Sequence, residues 1–251
     1  MLNIVNGSLL DSNHQYIAHQ CNGVMTSETT KQRRKAYSLS TGWLAYVCLS
    51  GNGFFAGAVL ALHLLQPERS PLNEPVSFYV HGAQGWLFTA GLLAWGGGSA
   101  ALLLGLARTI RIRAGNAGLS GLALWSAGVL TSGLFRADLP GQWNNSPSAT
   151  QLIHENAARV SFIALPIAAL LLSHGLRRAP EWRRNAGVLY LFMVMIMVSL
   201  ILFFASLLPI SDSLRPPMLF GLTERMLLAA YAAWLCAAAI GLLRSTTTPA
   251  Q

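Results

Sequence analysis

Charge is what this sequence has least of. Only 10% of its 251 residues are Asp, Glu, Lys or Arg, against about 25% in a soluble domain, which excludes a large water-facing domain. Lysine is nearly missing: Lys31 and Lys35 are both in the polar N-terminal stretch, so no lysine in an apolar run can carry a retinal Schiff base. Cysteine is scarce as well. Cys21, Cys48 and Cys236 show neither paired nor metal-type spacing, which excludes a disulfide framework and a zinc knuckle. No GxxxxGK[ST] phosphate loop and no arginine-rich voltage-sensor helix occurs.

What the chain does have is apolar length. Hydrophobic residues make up 53% of it and the mean hydropathy is +0.46. Six runs stand out, at Leu39–Leu65, Gly85–Ala107, Gly115–Phe135, Glu155–Leu176, Gly187–Ile210 and Phe220–Leu243. Each reaches the roughly 20 residues needed to cross about 30 Å of hydrocarbon. None alternates with period two, so a transmembrane β-barrel is excluded. The expected fold class is an all-α membrane protein, a six-transmembrane-helix bundle. Residues 1–38 would form a tail, 39–243 the six-span membrane domain and 244–251 a second tail.

Basic residues orient the bundle. Lys31, Arg33, Arg34, Lys35, Arg108, Arg111, Arg113, Arg177, Arg178, Arg183, Arg184 and Arg244 fall on one side; Arg69, Arg136, Arg159, Arg215 and Arg225 fall on the other. Only three of the nine acids, Asp11, Glu28 and Glu181, share the basic side. Short loops rich in Lys and Arg stay in the cytoplasm, so both termini are expected to be cytoplasmic. The net charge of +8 is therefore read as topology, aided by anionic lipid. Membrane lipid is the expected partner and nucleic acid is not.

The first 24 residues are composed differently. They hold Asn3, Asn6, Asn13 and Asn22 and contain no basic start followed by an apolar run, so no signal peptide is read there. The strings Asn3-Ile-Val-Asn-Gly-Ser-Leu-Leu-Asp-Ser and Ile17-Ala-His-Gln-Cys-Asn22 resemble the opening strand and loop of a macro domain. A piece this short cannot bury a core alone. The expectation is a fused or misassigned start with Met25 as the natural initiator, and intact-mass analysis of protein from its native gene would sink it by finding residues 1–24 present.

Inside the spans, small residues mark helix contacts: Gly53 with Gly57, the run Gly96-Gly97-Gly98, and Ala229, Ala233 and Ala237. The bulky fifth span is expected at the lipid-facing periphery. Among polar residues, Asn52 and His63 are eleven apart, close to three helical turns, so they share one face. Asn52 is expected to make an interhelical hydrogen bond.

Chemistry-bearing residues gather at the less basic mouth. His81 precedes the second span, Asp138 follows the third, and His154 with Glu155 opens the fourth. Glu224 and Arg225 open the sixth, and Arg69 and Glu74 lie in the first loop of that side. On the fourth helix His154, Ala158 and Ser161 share one face, and Glu155 with Arg159 forms an i,i+4 pair on a neighbouring one. His81, Asp138 and His154 have the donor types for a zinc ion with a position open to water, and such a water would hydrolyse an ester or amide at the lipid surface. Glu224 and Ser161 are then the catalytic candidates, Glu224 as proton carrier. The zinc site is the alternative; the leading reading of these groups is a structural network that closes the end of the bundle, with no cofactor.

Several of these strings carry a family resemblance. Pro75-Val-Ser-Phe-Tyr-Val-His-Gly, Gly85-Trp-Leu-Phe-Thr-Ala-Gly, Gly133-Leu-Phe-Arg-Ala-Asp138, His154 with Ala157-Ala-Arg-Val-Ser-Phe162, and Gly221-Leu-Thr-Glu-Arg225 resemble the bacterial membrane family called domain of unknown function 998, over about residues 40–243. The family's Phe-Pro-x-Asp after the third span is here Phe135-Arg136-Ala137-Asp138, keeping the acid without the proline. The resemblance implies a six-helix protein, multi-pass in a bacterial inner (plasma) membrane, without an established activity. It is distantly similar to eukaryotic six-span proteins that organise lipid or autophagic membranes. It is also similar to alkaline-ceramidase-like hydrolases in setting His and Asp near one face, but lacks their paired late histidines. The leading expectation is a non-enzymatic protein binding lipid or a small ligand at the polar mouth. A metal-dependent intramembrane lipid hydrolase is the alternative and a small transporter, needing a path past Asn52 and Ser50, the third.

Overall fold

A computed structural model describes residues 41–109, 113–139, 146–208 and 219–247, with side chains omitted at 113–115 and 247. The macro-like stretch, Met25 and Cys21 lie outside the described residues. Six helices follow one another: α1 Thr41–Leu65, α2 Gly85–Thr109, α3 Arg113–Leu134, α4 Ala149–Leu176, α5 Arg183–Ser206 and α6 Phe220–Thr247. All six are long and apolar enough to cross a membrane, and no strand occurs among the described residues.

Helix α5 ends at Ser206, short of the Ile210 read from hydropathy, and three other boundaries differ from that reading for a local reason. Helix α4 starts at Ala149 because Ser148 caps it, its hydroxyl accepting from the Gln151 N–H at 3.0 Å. That places His154 in the second turn rather than at the rim. A single 3-10 turn, Pro180–Trp182, leads straight into α5 at Arg183, ahead of the apolar run. Helix α6 continues past Leu243 to Thr247, where the hydroxyls of Ser245 and Thr246 donate to the carbonyls of Leu242 and Leu243.

Consecutive helices pack on one another from α2 to α6, and α2 also meets α6. Helix α1 fits between them: the Asn52 side chain takes a hydrogen bond from α2, and His63 takes one from α6. Helix α6 is the most enclosed, with 61% of its most apolar window buried against 28% for α5, so α5 is the peripheral helix.

Close approach depends on particular glycines. At Gly128 on α3, a Cβ would overlap the Ser161 hydroxyl and lie 2.7 Å from the Ala157 carbonyl of α4. Gly53 and Gly57 behave otherwise. Nothing lies within 4 Å of a Cβ at either, and both are exposed on the outward face of α1. Their spacing is thus not used inside the bundle, because α1 turns the Asn52 and Cys48 face inward instead.

An aromatic layer crosses all six helices. Phe55 stacks on Trp95 (centroids 4.1 Å apart), Trp95 meets Trp125 edge-on at 4.8 Å, and Trp125 meets Tyr231 edge-on at 5.1 Å. Phe162 continues the layer beside Tyr231, at 6.5 Å, and beside Phe203, at 5.3 Å. The edge-on pairs suit ring quadrupoles. The polar atoms of the layer are matched: Trp95 donates to Asn52 Oδ1 at 2.8 Å and Trp125 donates to Ser99 at 3.0 Å. Tyr231 donates to the Phe162 carbonyl at 2.7 Å. That carbonyl is four residues before Pro166, which has no N–H to offer it, so the tyrosine replaces a helix hydrogen bond.

Candidate functional site

The connection between α1 and α2 folds back over one end of the bundle and holds a short 3-10 helix, Val76–His81. Its backbone is tied to the first turn of α6, where the Leu222 N–H donates to the Leu72 carbonyl at 3.0 Å. Gly221 permits this, because a Cβ there would run into the Glu74 and Pro71 carbonyls. At the far side of the same strap, Gln66 donates through Nε2 to the Tyr79 carbonyl at 3.0 Å. This strap caps one end of the bundle.

The polar residues at this end sort into separate groups. Arg225 clamps the strap. Its Nε donates to His63 Nε2 at 3.0 Å, Nη1 to the carbonyls of Glu74 and Gly221, both at 2.8 Å, and Nη2 to the Tyr79 hydroxyl at 3.2 Å. The guanidinium also lies 5.7 Å from the Tyr79 ring centre. His63 donates through Nδ1 to the Val59 carbonyl at 2.6 Å, which fixes Nε2 as the acceptor for Arg225. Asn52 and His63, three turns apart on α1, thus both tie it to neighbouring helices.

His81 and Asp138 come together differently from a metal pair. His81 Nε2 donates to the backbone carbonyl of Asp138 at 3.1 Å. The Asp138 carboxylate turns to α4, accepting from the Ser148 hydroxyl at 2.6 Å and the Ser148 N–H at 2.8 Å. These two donors, the hydroxyl first, hold the Asp138 acid below the ordinary aspartate range. Arg69 and Glu74 face each other at 3.9 Å, and Glu155 with Arg159 forms an exposed i,i+4 ion pair. Among the described residues, no three His, Cys, Asp or Glu side chains gather closely enough to hold one metal ion.

His154 and Glu224 form the remaining group, and they share a cavity. It has a volume of about 50 Å³ and lies between the strap and the aromatic layer. Its apolar walls include Phe55, Phe88, Trp95, Trp125 and Phe162. Its polar lining consists of Ser77, Ser132, His154, Ser161 and Glu224. His154, Ala158 and Ser161 all reach it, as their shared helical face requires.

Hydrogen bonds fix what each polar group offers. His154 Nδ1 faces two acceptors, the carbonyls of Ser132 at 3.0 Å and Phe135 at 2.9 Å, so Nδ1 carries the hydrogen and Nε2 is left with its lone pair. Glu224, 5% exposed, accepts from the Val76 N–H through Oε2 at 2.8 Å. Its Oε1 has no hydrogen-bond partner and the group makes no salt bridge within 4.0 Å among the described residues, although the Arg225 charge acts on it from further away. Arg225 is adjacent in sequence, yet its guanidinium is committed to the strap and α1. Ser161 donates to the Ala157 carbonyl at 2.9 Å, and lies about two turns along α4 from His154, too far for a nucleophile–base contact.

Sequence reasoning named His154, Glu224 and Ser161, but missed Ser77, Ser132 and the tryptophans. A signal for the last was present: Trp95, Trp125 and Trp234 lie within spans rather than at the membrane interface where such rings are enriched. Each is buried with its indole N–H bonded to a polar side chain of another helix.

Helices, strap and matched polar layer together define a six-span, all-helical membrane bundle with one capped end. Residues 49–241 match the family described as "Protein of unknown function (DUF998)", and the chain belongs to that family. No curated protein and no solved structure matches it.

Proposed function

We propose that this protein binds a small polar molecule or a lipid headgroup in the chamber beneath the strap. One observation carries the reading: Glu224 Oε1 and His154 Nε2 are unpartnered among the described residues and line the same cavity. An ionisable residue within a membrane bundle marks a functional site by default. The excess of basic residues in the sequence stretches assigned to the opposite mouth supports a non-cytoplasmic setting for this chamber.

Native mass spectrometry of gently extracted protein tests the reading against an Ala158→Phe variant, which fills the chamber from a helix position that bonds nothing there. The wild type is expected to retain a bound molecule at one per chain, and the variant to lose it while keeping its thermal transition. Equal retention by both, or by neither, overturns the proposal. Stoichiometric zinc lost on replacing His81 and His154 together with alanine also overturns it, in favour of metal-dependent hydrolysis.

A further inference from the structure

We infer that the chamber selects a primary ammonium group, as an amine headgroup or a free small amine. This inference rests on the chamber being a binding site. Both indole N–H groups of the lining are spent, Trp95 on Asn52 and Trp125 on Ser99. The Ser161 hydroxyl hydrogen goes to the Ala157 carbonyl and that of Ser132 to the His154 carbonyl. His154 uses its hydrogen on two carbonyls, and the Val76 N–H is taken by Glu224. With Glu224 in the ionised form that a bound cation favours, what remains is a carboxylate oxygen, an imidazole lone pair and serine lone pairs, with the Ser77 hydroxyl able to serve either way.

An acceptor-lined cavity repels an anion and leaves a neutral acceptor unsatisfied. It matches a group that carries several N–H donors and a positive charge, as an ammonium does. Aromatic walls add to that preference, since ring faces attract cations. Size narrows the class further. At roughly 10–15 Å³ for each water-sized occupant, about 50 Å³ accommodates an ammonium with its first one or two carbons. A quaternary ammonium with four carbons on nitrogen fills the upper limit of that space and has no N–H to give.

The experiment titrates full-length protein in detergent with ethylammonium, ethanol, acetate and tetramethylammonium. Binding is followed by calorimetry and by the fluorescence of the chamber tryptophans. Ethylammonium is expected to bind saturably at one per chain, with the other three at least about tenfold weaker. Glu224→Gln keeps an oxygen for the Val76 N–H and should weaken ethylammonium by at least about tenfold. The comparison among probes on the unaltered protein stands even if that variant fails to fold. Repeating the titration in nanodiscs separates the sources: weaker binding in phosphatidylethanolamine than in phosphatidylcholine discs, both without net charge, assigns the site to the lipid headgroup, and equal binding assigns it to a free amine.

Stronger binding of ethanol or acetate, blocked by Ala158→Phe, would overturn the ammonium assignment and leave the chamber a binding site. Undiminished ethylammonium binding by Glu224→Gln overturns the assignment too. No binding by any probe, together with no retained molecule in the extracted protein, overturns both.

Discussion

Tyr231 and Pro166 give the sharpest test of how this bundle satisfies its own backbone. Pro166 removes the N–H that would bond the Phe162 carbonyl, and Tyr231 of α6 donates to that carbonyl at 2.7 Å. Tyr231→Phe deletes one hydroxyl from a fully buried ring. The lost bond and the exposed carbonyl together should cost about 1–2 kcal/mol, since interhelical hydrogen bonds in membranes average about 0.6 and reach about 1.7, with unsatisfied acceptors costing more. In a Pro166→Ala background the restored N–H of residue 166 covers the carbonyl. Tyr231→Phe should there cost about 0.5–1 kcal/mol less, the carbonyl's second lone pair keeping part of the tyrosine bond useful. Reversible unfolding in mixed micelles, followed by tryptophan fluorescence, measures all four corners of the cycle. Additivity to within about 0.3 kcal/mol would refute the exchange of partners.

Other parts of the structure make equally definite predictions. Arg225→Ala removes three tertiary hydrogen bonds and should destabilise the protein by about 2–4 kcal/mol, with Arg225→Lys intermediate because a point charge cannot reproduce the fork; the same unfolding assay checks both. Gly53→Ala and Gly57→Ala meet nothing and should be neutral or stabilising by up to about 1 kcal/mol each, whereas Gly128→Ala should destabilise by forcing α3 from α4. The lowered acid of Asp138 contributes stability that is present above the unfolded value of about 3.9 and is lost as pH falls through the lower folded value. Hydrogen exchange at Ser148 and Gln151 should therefore quicken only in that acid range, and Asp138→Asn should remove the dependence.

How far the sequence carried depends on the physics behind each feature. Six spans were legible because hydropathy and length set them directly. The alignment of His154, Ala158 and Ser161 was legible because helical period is local, and so was the Glu155–Arg159 pair. The start of α4 was not, since Ser148 sits in a polar stretch where hydropathy is silent and only a cap marks the boundary. Nor was the sharing of one cavity by Glu224 and His154, because it depends on α6 being drawn inward against several helices, and helix order is not written in periodicity. Gly53 and Gly57 show the limit from the other side: their spacing states that a close approach is available, not that this bundle uses it.

Glu224 and Arg225 are neighbours on α6, and a helix turns about 100° per residue, so they serve different partners through one strap. Arg225 holds Tyr79 and the Glu74 carbonyl, while Glu224 holds the Val76 N–H, all within or beside the same 3-10 helix. Val76 and Ser77 also line the chamber. An occupant that engages Glu224 Oε1 and leaves the Val76 N–H on Oε2 therefore favours the docked strap, and the docked strap favours that occupant, by linkage. Saturating ethylammonium should accordingly slow amide exchange across Val76–His81, and Arg225→Ala should speed exchange there while weakening ethylammonium by a matching factor. Unchanged exchange on saturation would separate the strap from the chamber. The clamp would then be a structural closure with no part in binding.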